Sequence, residues 1–128
     1  MNTMRTVLLV DDIPEYVDTM ELNLPDECRA VAAYSSEAAK KNMAKEQPAL
    51  AVLDVRLNEA DAENREGLEL LKWIKANYPS VPVIMISAYR EFEFEAESLD
   101  LGAEYFLRKP VQPDEFRECV EKVLKAKG

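Results

Sequence analysis

Thr6-Val-Leu-Leu-Val-Asp-Asp12 is the stretch on which the fold turns. Its apolar residues run from Val7 to Val10 without alternation, the pattern of a strand covered on both faces, and two carboxylates follow at once. Working outward, the same pattern returns at Leu50–Leu53, closed by Asp54, and at Val81–Ile86, closed by Ser87. Shorter apolar runs lie at Ala30–Ala33 and Tyr105–Leu107. The second is short enough to read as an edge strand, and Lys109 and Pro110 follow it.

The segments between these runs carry helical spacing. Tyr16, Met20 and Leu24 fall on one helical face, as do Leu68, Leu71, Ile74 and Tyr78, and then Phe116, Val120, Val123 and Leu124. Asp12 is placed to cap the first helix, with Pro14 in its first turn; Ser35 or Ser36 suits the second, and Pro113-Asp-Glu115 the last. Glu91 to Glu95 alternates like a strand. Phe92, Ala96 and Leu99 are nevertheless spaced i, i+4, i+7, and the segment lies between two strands, so a helix is expected over Tyr89–Leu101. Alternating strands and helices predict a doubly wound parallel α/β sheet with helices on both faces, in a single domain over residues 1–128.

Composition narrows the function. The chain has 128 residues, 48% of them hydrophobic, enough for one core. No apolar run approaches the ~18 residues of a membrane span, and Met1–Arg5 is too short and polar to open a secretory signal. A cytoplasmic protein without membrane contact is expected. The net charge of −9, from 25 acidic and 16 basic residues, repels nucleic acid, and no basic stripe offsets it. There is no histidine, which excludes a Ser-His-Asp triad, a His-ligated zinc site and a phosphohistidine carrier. Cys28 and Cys119 sit among apolar residues and read as reduced core thiols.

In an open parallel sheet, ligands bind beyond the carboxyl ends of the strands. Asp11, Asp12, Asp54, Ser87 and Lys109 all stand there. Taken singly, each has an ordinary structural use as a cap, a loop residue or a strand ending; four strand ends supplying them together is the informative feature. Two carboxylates ~5 Å apart repel by roughly 3 kcal/mol at an effective dielectric near ~20. One lysine does not offset three of them. A hard divalent cation such as Mg²⁺ suits an all-oxygen cluster of this kind.

At this point the residues carry a resemblance. Val7-Leu-Leu-Val-Asp-Asp12, Val52-Leu-Asp54, Ile86-Ser-Ala88 and Leu107-Arg-Lys-Pro110 resemble the signature of the response-regulator receiver family, of the chemotaxis-regulator type. Gly102-Ala-Glu-Tyr-Phe-Leu-Arg-Lys-Pro110 is similar to its last-strand motif, and Gly67-Leu-Glu-Leu-Leu71 to the start of its third helix. The likeness runs from Thr6 to Leu124. It implies a flavodoxin-like (βα)5 three-layer sandwich with strand order 2-1-3-4-5. It also implies a two-component signalling protein, not an enzyme in the ordinary sense, that assists its own Mg²⁺-dependent phosphorylation and dephosphorylation.

The resemblance further assigns roles. Asp54 is the expected phosphoacceptor, giving an aspartyl phosphate, and Asp11, Asp12, Asp54 and the backbone carbonyl of Arg56 are the expected Mg²⁺ ligands. Lys109 is expected to pair with the phosphoryl oxygens, its bond to Pro110 being cis. Ser87 would move to hydrogen-bond the phosphoryl group while Phe106, the aromatic switch, turns inward. The implied partners are a histidine kinase or histidine phosphotransfer protein, and an output protein met through the fourth helix, last strand and last helix, with a homodimer also open. Phe94, Glu97 and Tyr105 are candidates for that face.

Two departures stand out. Asn58 replaces a usual proline, and Asn58-Glu-Ala-Asp-Ala-Glu-Asn-Arg-Glu66 makes the loop about five residues longer, an insertion that costs little closure entropy. It reads as a tolerated surface insertion, or else as an acidic element that alters access to the acyl phosphate or selects a partner. Phe106 lacks the hydroxyl of a tyrosine, so its burial strands no polar group. A degenerate receiver acting as a constitutive interaction domain is the alternative reading. A phosphohydrolase with an Asp nucleophile would be expected to carry a second aspartate where Arg56 stands. The last helix runs almost to Gly128, which leaves a stand-alone receiver and a piece of a longer regulator equally open.

Overall fold

The computed structural model describes residues 4–58, 60, 61, 63–88 and 92–127. Five strands and five helices alternate along them: β1 (Arg5–Val10), α1 (Pro14–Leu22), β2 (Cys28–Ala33), α2 (Ser36–Glu46), β3 (Leu50–Asp54), α3 (Glu66–Asn77), β4 (Val83–Ser87), α4 (Phe92–Asp100), β5 (Tyr105–Arg108) and α5 (Pro113–Lys127). The strands form one parallel sheet in the order β2-β1-β3-β4-β5. The expected (βα)5 architecture is therefore the one adopted.

The non-alternating strands explain the layering. Successive side chains of a strand point to opposite faces. On β1, Leu8 and Val10 enter one core while Val7 and Leu9 enter the other, and all four are fully buried. The first core takes Ala39 and Met43 from α2 and Leu68, Leu70, Leu71 and Ile74 from α3. The second takes Val17 from α1 and Phe116, Val120, Val123 and Leu124 from α5. Each buried aliphatic side chain of this size contributes about 2 kcal/mol. Cys28 and Cys119 lie in the second core as free thiols, and burial pushes both thiol pKa values up, that of Cys119 to about 11.

Local signals were read with mixed success. Ser35 caps α2, its hydroxyl accepting the Ala38 N–H at 3.1 Å, and Pro113 opens α5. Asp12 does not cap α1. Ile13 is the N-cap and its side chain has no acceptor to offer; the Ile13 N–H donates to Asp11 Oδ1 at 3.0 Å. Tyr16 is not a core residue either: Val17 points inward and Tyr16 stays 43% exposed. On α4 the inward face is Phe94, Ser98 and Leu101, whereas Ala96 and Leu99 of the expected face are exposed. The expected start of that helix at Tyr89, and the Phe92 side chain, lie outside the described residues.

The candidate site at the carboxyl edge of the sheet

In the parallel register, Val10 pairs with Leu53 and Asp54 with Ile86. The residues that follow β1, end β3 and end β4 must therefore meet at one edge. Asp11, Asp12 and Asp54 each bring a carboxylate oxygen within 4.8 Å of the others. Asp11 and Asp54 are buried, while Asp12 is half-buried.

Lys109 arrives from the end of β5, held by its N–H to the Ser87 carbonyl at 2.8 Å and followed by a cis bond to Pro110. Its ammonium donates to Asp11 Oδ2 at 2.8 Å and to Asp54 Oδ2 at 3.0 Å. The other oxygens are engaged by backbone: Asp11 Oδ1 accepts from Ile13, and Asp54 Oδ1 accepts from the Arg56 N–H at 3.3 Å. Each carboxylate thus turns one oxygen to the chain and one to the lysine.

The electrostatics reflect crowding. Burial, helped by the Asp11 charge, lifts the Asp54 carboxyl from its ordinary 3.8 to about 7, even though Lys109 pulls it down. Burial also works against the Lys109 charge, but Asp54 and Asp11 outweigh it and hold its pKa above the usual lysine value. Three carboxylates against one ammonium leave an excess of negative charge inside low-dielectric walls. Hard oxygen donors this close fit a divalent cation such as Mg²⁺. Asp11, Asp12 and Asp54 are the groups that would hold it; Arg56 lies against them through its N–H and has a buried side chain.

Ser87 ends β4 and is buried at 1% exposure, one position beyond the partner of Asp54. Phe106 pairs with Met85 on β5 and is half-buried, packed against the first core. Of the residues proposed for the outer face, Tyr105 is exposed and carries Lys122 5.9 Å from its ring centre. Glu95 and Arg108 form an ion pair beside it at 2.7 Å. Glu97 turns the other way and pairs with Arg65 at the N-cap of α3, and the Arg65 guanidinium lies 5.2 Å from the Phe94 ring centre.

Two residues matter more than their sequence context suggested. A Cβ on Gly67 would stand 1.8 Å from the Asp54 carbonyl oxygen and 2.7 Å from Val55 Cα, and the Gly67 N–H donates to the Val55 carbonyl at 2.8 Å. Only glycine lets α3 begin this close to the end of β3. Tyr16 lies over Lys109, the ammonium 4.0 Å from its ring centre. Its signal was a place on the helix face shared with Thr19 and Met20, which line a groove of about 360 Å³ with Lys109, Pro110 and Val111.

The described residues of the long loop are held by their own polar groups. Asn58 Oδ1 accepts from Ala60 at 3.1 Å, and Asp61 Oδ1 from Glu63 at 2.9 Å. Asn64 Oδ1 accepts both the Leu57 N–H at 2.9 Å and the Glu66 N–H at 3.1 Å. Arg56 reaches the Asp61 carbonyl at 3.4 Å.

Known proteins share this sequence pattern and fold. Residues 7–121 match the family described as the response regulator receiver domain. The chain is 34% identical over 119 residues to the nitrogen assimilation regulatory protein NtrX of Azorhizobium caulinodans, covering 92% of this chain and 26% of that protein. It is 31% identical over 125 residues to the response regulator protein PilR of Pseudomonas aeruginosa, covering 97% of this chain and 27% of PilR. The chain therefore spans about a quarter of the length of these relatives. Among solved structures, the receiver domain of NtrX from Brucella abortus superposes with a TM-score of 0.83 at 30% identity, over 93% of this chain and 98% of that one. A CheY-like receiver domain protein from Methanospirillum hungatei gives 0.86 at 25% identity, over 98% and 97%.

Proposed function

The chain belongs to the response regulator receiver domain family, and from that premise we propose that it is a phosphorylation-controlled signalling module whose phosphoacceptor is Asp54. The observation that carries the reading is the Lys109 ammonium bridging Asp11 and Asp54 beside a third carboxylate, Asp12.

In the proposed reaction an Asp54 carboxylate oxygen attacks the phosphorus of a phosphohistidine on a kinase or phosphotransfer protein. The new O–P bond forms as the P–N bond breaks, and the histidine nitrogen leaves with the electron pair. Asp11, Asp12 and Asp54, with the Arg56 carbonyl, would hold Mg²⁺, which when bound would supply charge neutralisation to the phosphoryl oxygens. Lys109 exchanges its bond to Asp54 Oδ2 for one to a phosphoryl oxygen, a short movement for a flexible stem already in place. Ser87 donates its hydroxyl to the same group. Phe106, already half-buried, completes its turn into the first core. The small size of these steps makes the response a population shift, read at the outer face of α4, β5 and α5 by an output protein or a second copy of the chain. The reaction would run in the cytoplasm, with no direct contact to nucleic acid or membrane. Among the described residues no helix is long and apolar enough to cross a membrane.

Two other readings make different predictions. A constitutive interaction domain would ignore phosphodonors, and a phosphohydrolase would turn substrate over. Incubation with acetyl phosphate and Mg²⁺, followed by intact-mass measurement, should show one phosphoryl group per chain for the natural sequence and none for Asp54→Asn. Unmodified protein, or modification that survives Asp54→Asn, overturns the proposal.

A further inference from the structure

We propose that Tyr16 is a positioning residue for phosphoryl transfer, its ring holding the Lys109 ammonium over the acidic cluster; this rests on the role given to Lys109 above. The ammonium lies 4.0 Å from the ring centre, well inside the ~6 Å reach of a cation–π contact. Tyr16 is 43% exposed whereas the Lys109 side chain is only 14% exposed. The ring therefore adds little to the core, which α1 serves through Val17, and instead covers the Lys109 ammonium where it borders the groove.

The chemistry of the seat is asymmetric. On one side the ammonium donates to Asp11 and Asp54, two acceptors that any incoming phosphoryl group must displace or join. On the other side lies a π face, which attracts a cation but accepts no strong hydrogen bond. When a phosphoryl group arrives, Lys109 can release Asp54 without leaving the ring. A carboxylate in place of Tyr16 would compete with the phosphoryl oxygens, and an aliphatic side chain would leave the ammonium to water and to its other rotamers. A lysine stem is flexible, so holding its head in the reactive sector before the donor binds is preorganisation. The apolar lining beside it, Met20, Pro110 and Val111, keeps the local dielectric low and strengthens the attraction.

Tyr16→Phe keeps the π face and Tyr16→Leu removes it. Both are tolerated by a helix at an exposed position, so both variants fold. In the metal-free protein, NMR of the Lys109 ε-protons reads the contact directly: ring-current shifted in the natural sequence and in Tyr16→Phe, at the ordinary position in Tyr16→Leu. With saturating Mg²⁺, acetyl phosphate should modify Tyr16→Leu about fivefold more slowly and Tyr16→Phe within about twofold of normal. Tyr16→Leu should weaken beryllofluoride binding about fivefold with Lys109 present and by less than about twofold in a Lys109→Met background, because the group it acts through is gone. Equal rates for the Leu and Phe variants, unshifted lysine protons, or an undiminished Tyr16→Leu effect without Lys109 would each overturn the inference. If the natural sequence itself takes no phosphoryl group, it is the proposed function that has failed.

Discussion

α3 and α4 pack on the same face of the sheet but are held by different means. α3 buries Gly67, Leu68, Leu70, Leu71 and Ile74, and its first turn sits on the backbone that follows Asp54. α4 is shorter, and among its described side chains only Ser98 is fully buried. Its remaining ties are a half-buried Phe94 and two partly exposed ion pairs, Arg65–Glu97 and Glu95–Arg108. Exposed ion pairs contribute little, about 0–1 kcal/mol each, whereas five buried positions fix a helix outright. The lesson is a division of labour. The helix joined to the strand of Asp54 is an anchor, and the helix beside the proposed outer face is the less firmly held of the two.

The sharpest way to break that contrast is Gly67→Ala. Its methyl group would overlap the Asp54 carbonyl, so α3 must lift off β3, and a loss of more than about 3 kcal/mol is expected in urea denaturation. A loss below about 1 kcal/mol would mean that α3 is no anchor. Next comes the charge at the anchor itself. The Asp54 carboxyl titrates near 7 in the fold against 3.8 when unfolded, so its ionised form is disfavoured by folding. The penalty is absent below pH 4, grows as pH rises from there to 7, and is complete above. Metal-free Asp54→Asn escapes it and should be more stable than the natural sequence by up to about 4 kcal/mol at pH 8, with the advantage gone at pH 4. Thermal melts across that range decide the point.

The smallest effect belongs to α4. The buried Ser98 hydroxyl has no hydrogen-bond partner among the described residues. Ser98→Ala removes an unsatisfied polar group and improves helix propensity, for a gain of about 1 kcal/mol. Amide exchange within α4 should slow more than exchange within α3. Equal slowing in both helices would show that they open as one unit, and the division of labour would go.

How much of this was legible beforehand follows from the same contrast. Apolar runs without alternation define a parallel sheet, and a parallel sheet delivers the residues after its strands to one edge. Asp11, Asp12, Asp54, Ser87 and Lys109 could therefore be gathered from spacing alone. Helix faces were less legible, because a one-residue error rotates a helix by about 100°. That error put Tyr16 rather than Val17 on the apolar face of the first helix, and hid its contact with Lys109. On α4 the alternation of Phe and Glu blurred the period, and a serine at the inward position gave no apolar signal. Asp12 looked like a cap because nothing in the sequence says that the helix will start one residue later, with Ile13 at the N-cap. The seat of Gly67 was invisible for a similar reason, since it depends on how closely two backbones approach.

Asn64 has a practical consequence. By accepting from Leu57 on one side and Glu66 on the other, its single oxygen staples the two ends of the insertion together. Between the staple points the chain is tied back to Arg56 through the Asp61 carbonyl, so the exposed Ala60, clear of that tie, offers a graft point. A fluorophore or a short epitope placed there would ride on the molecule next to the acidic cluster, as a reporter on the events beneath it.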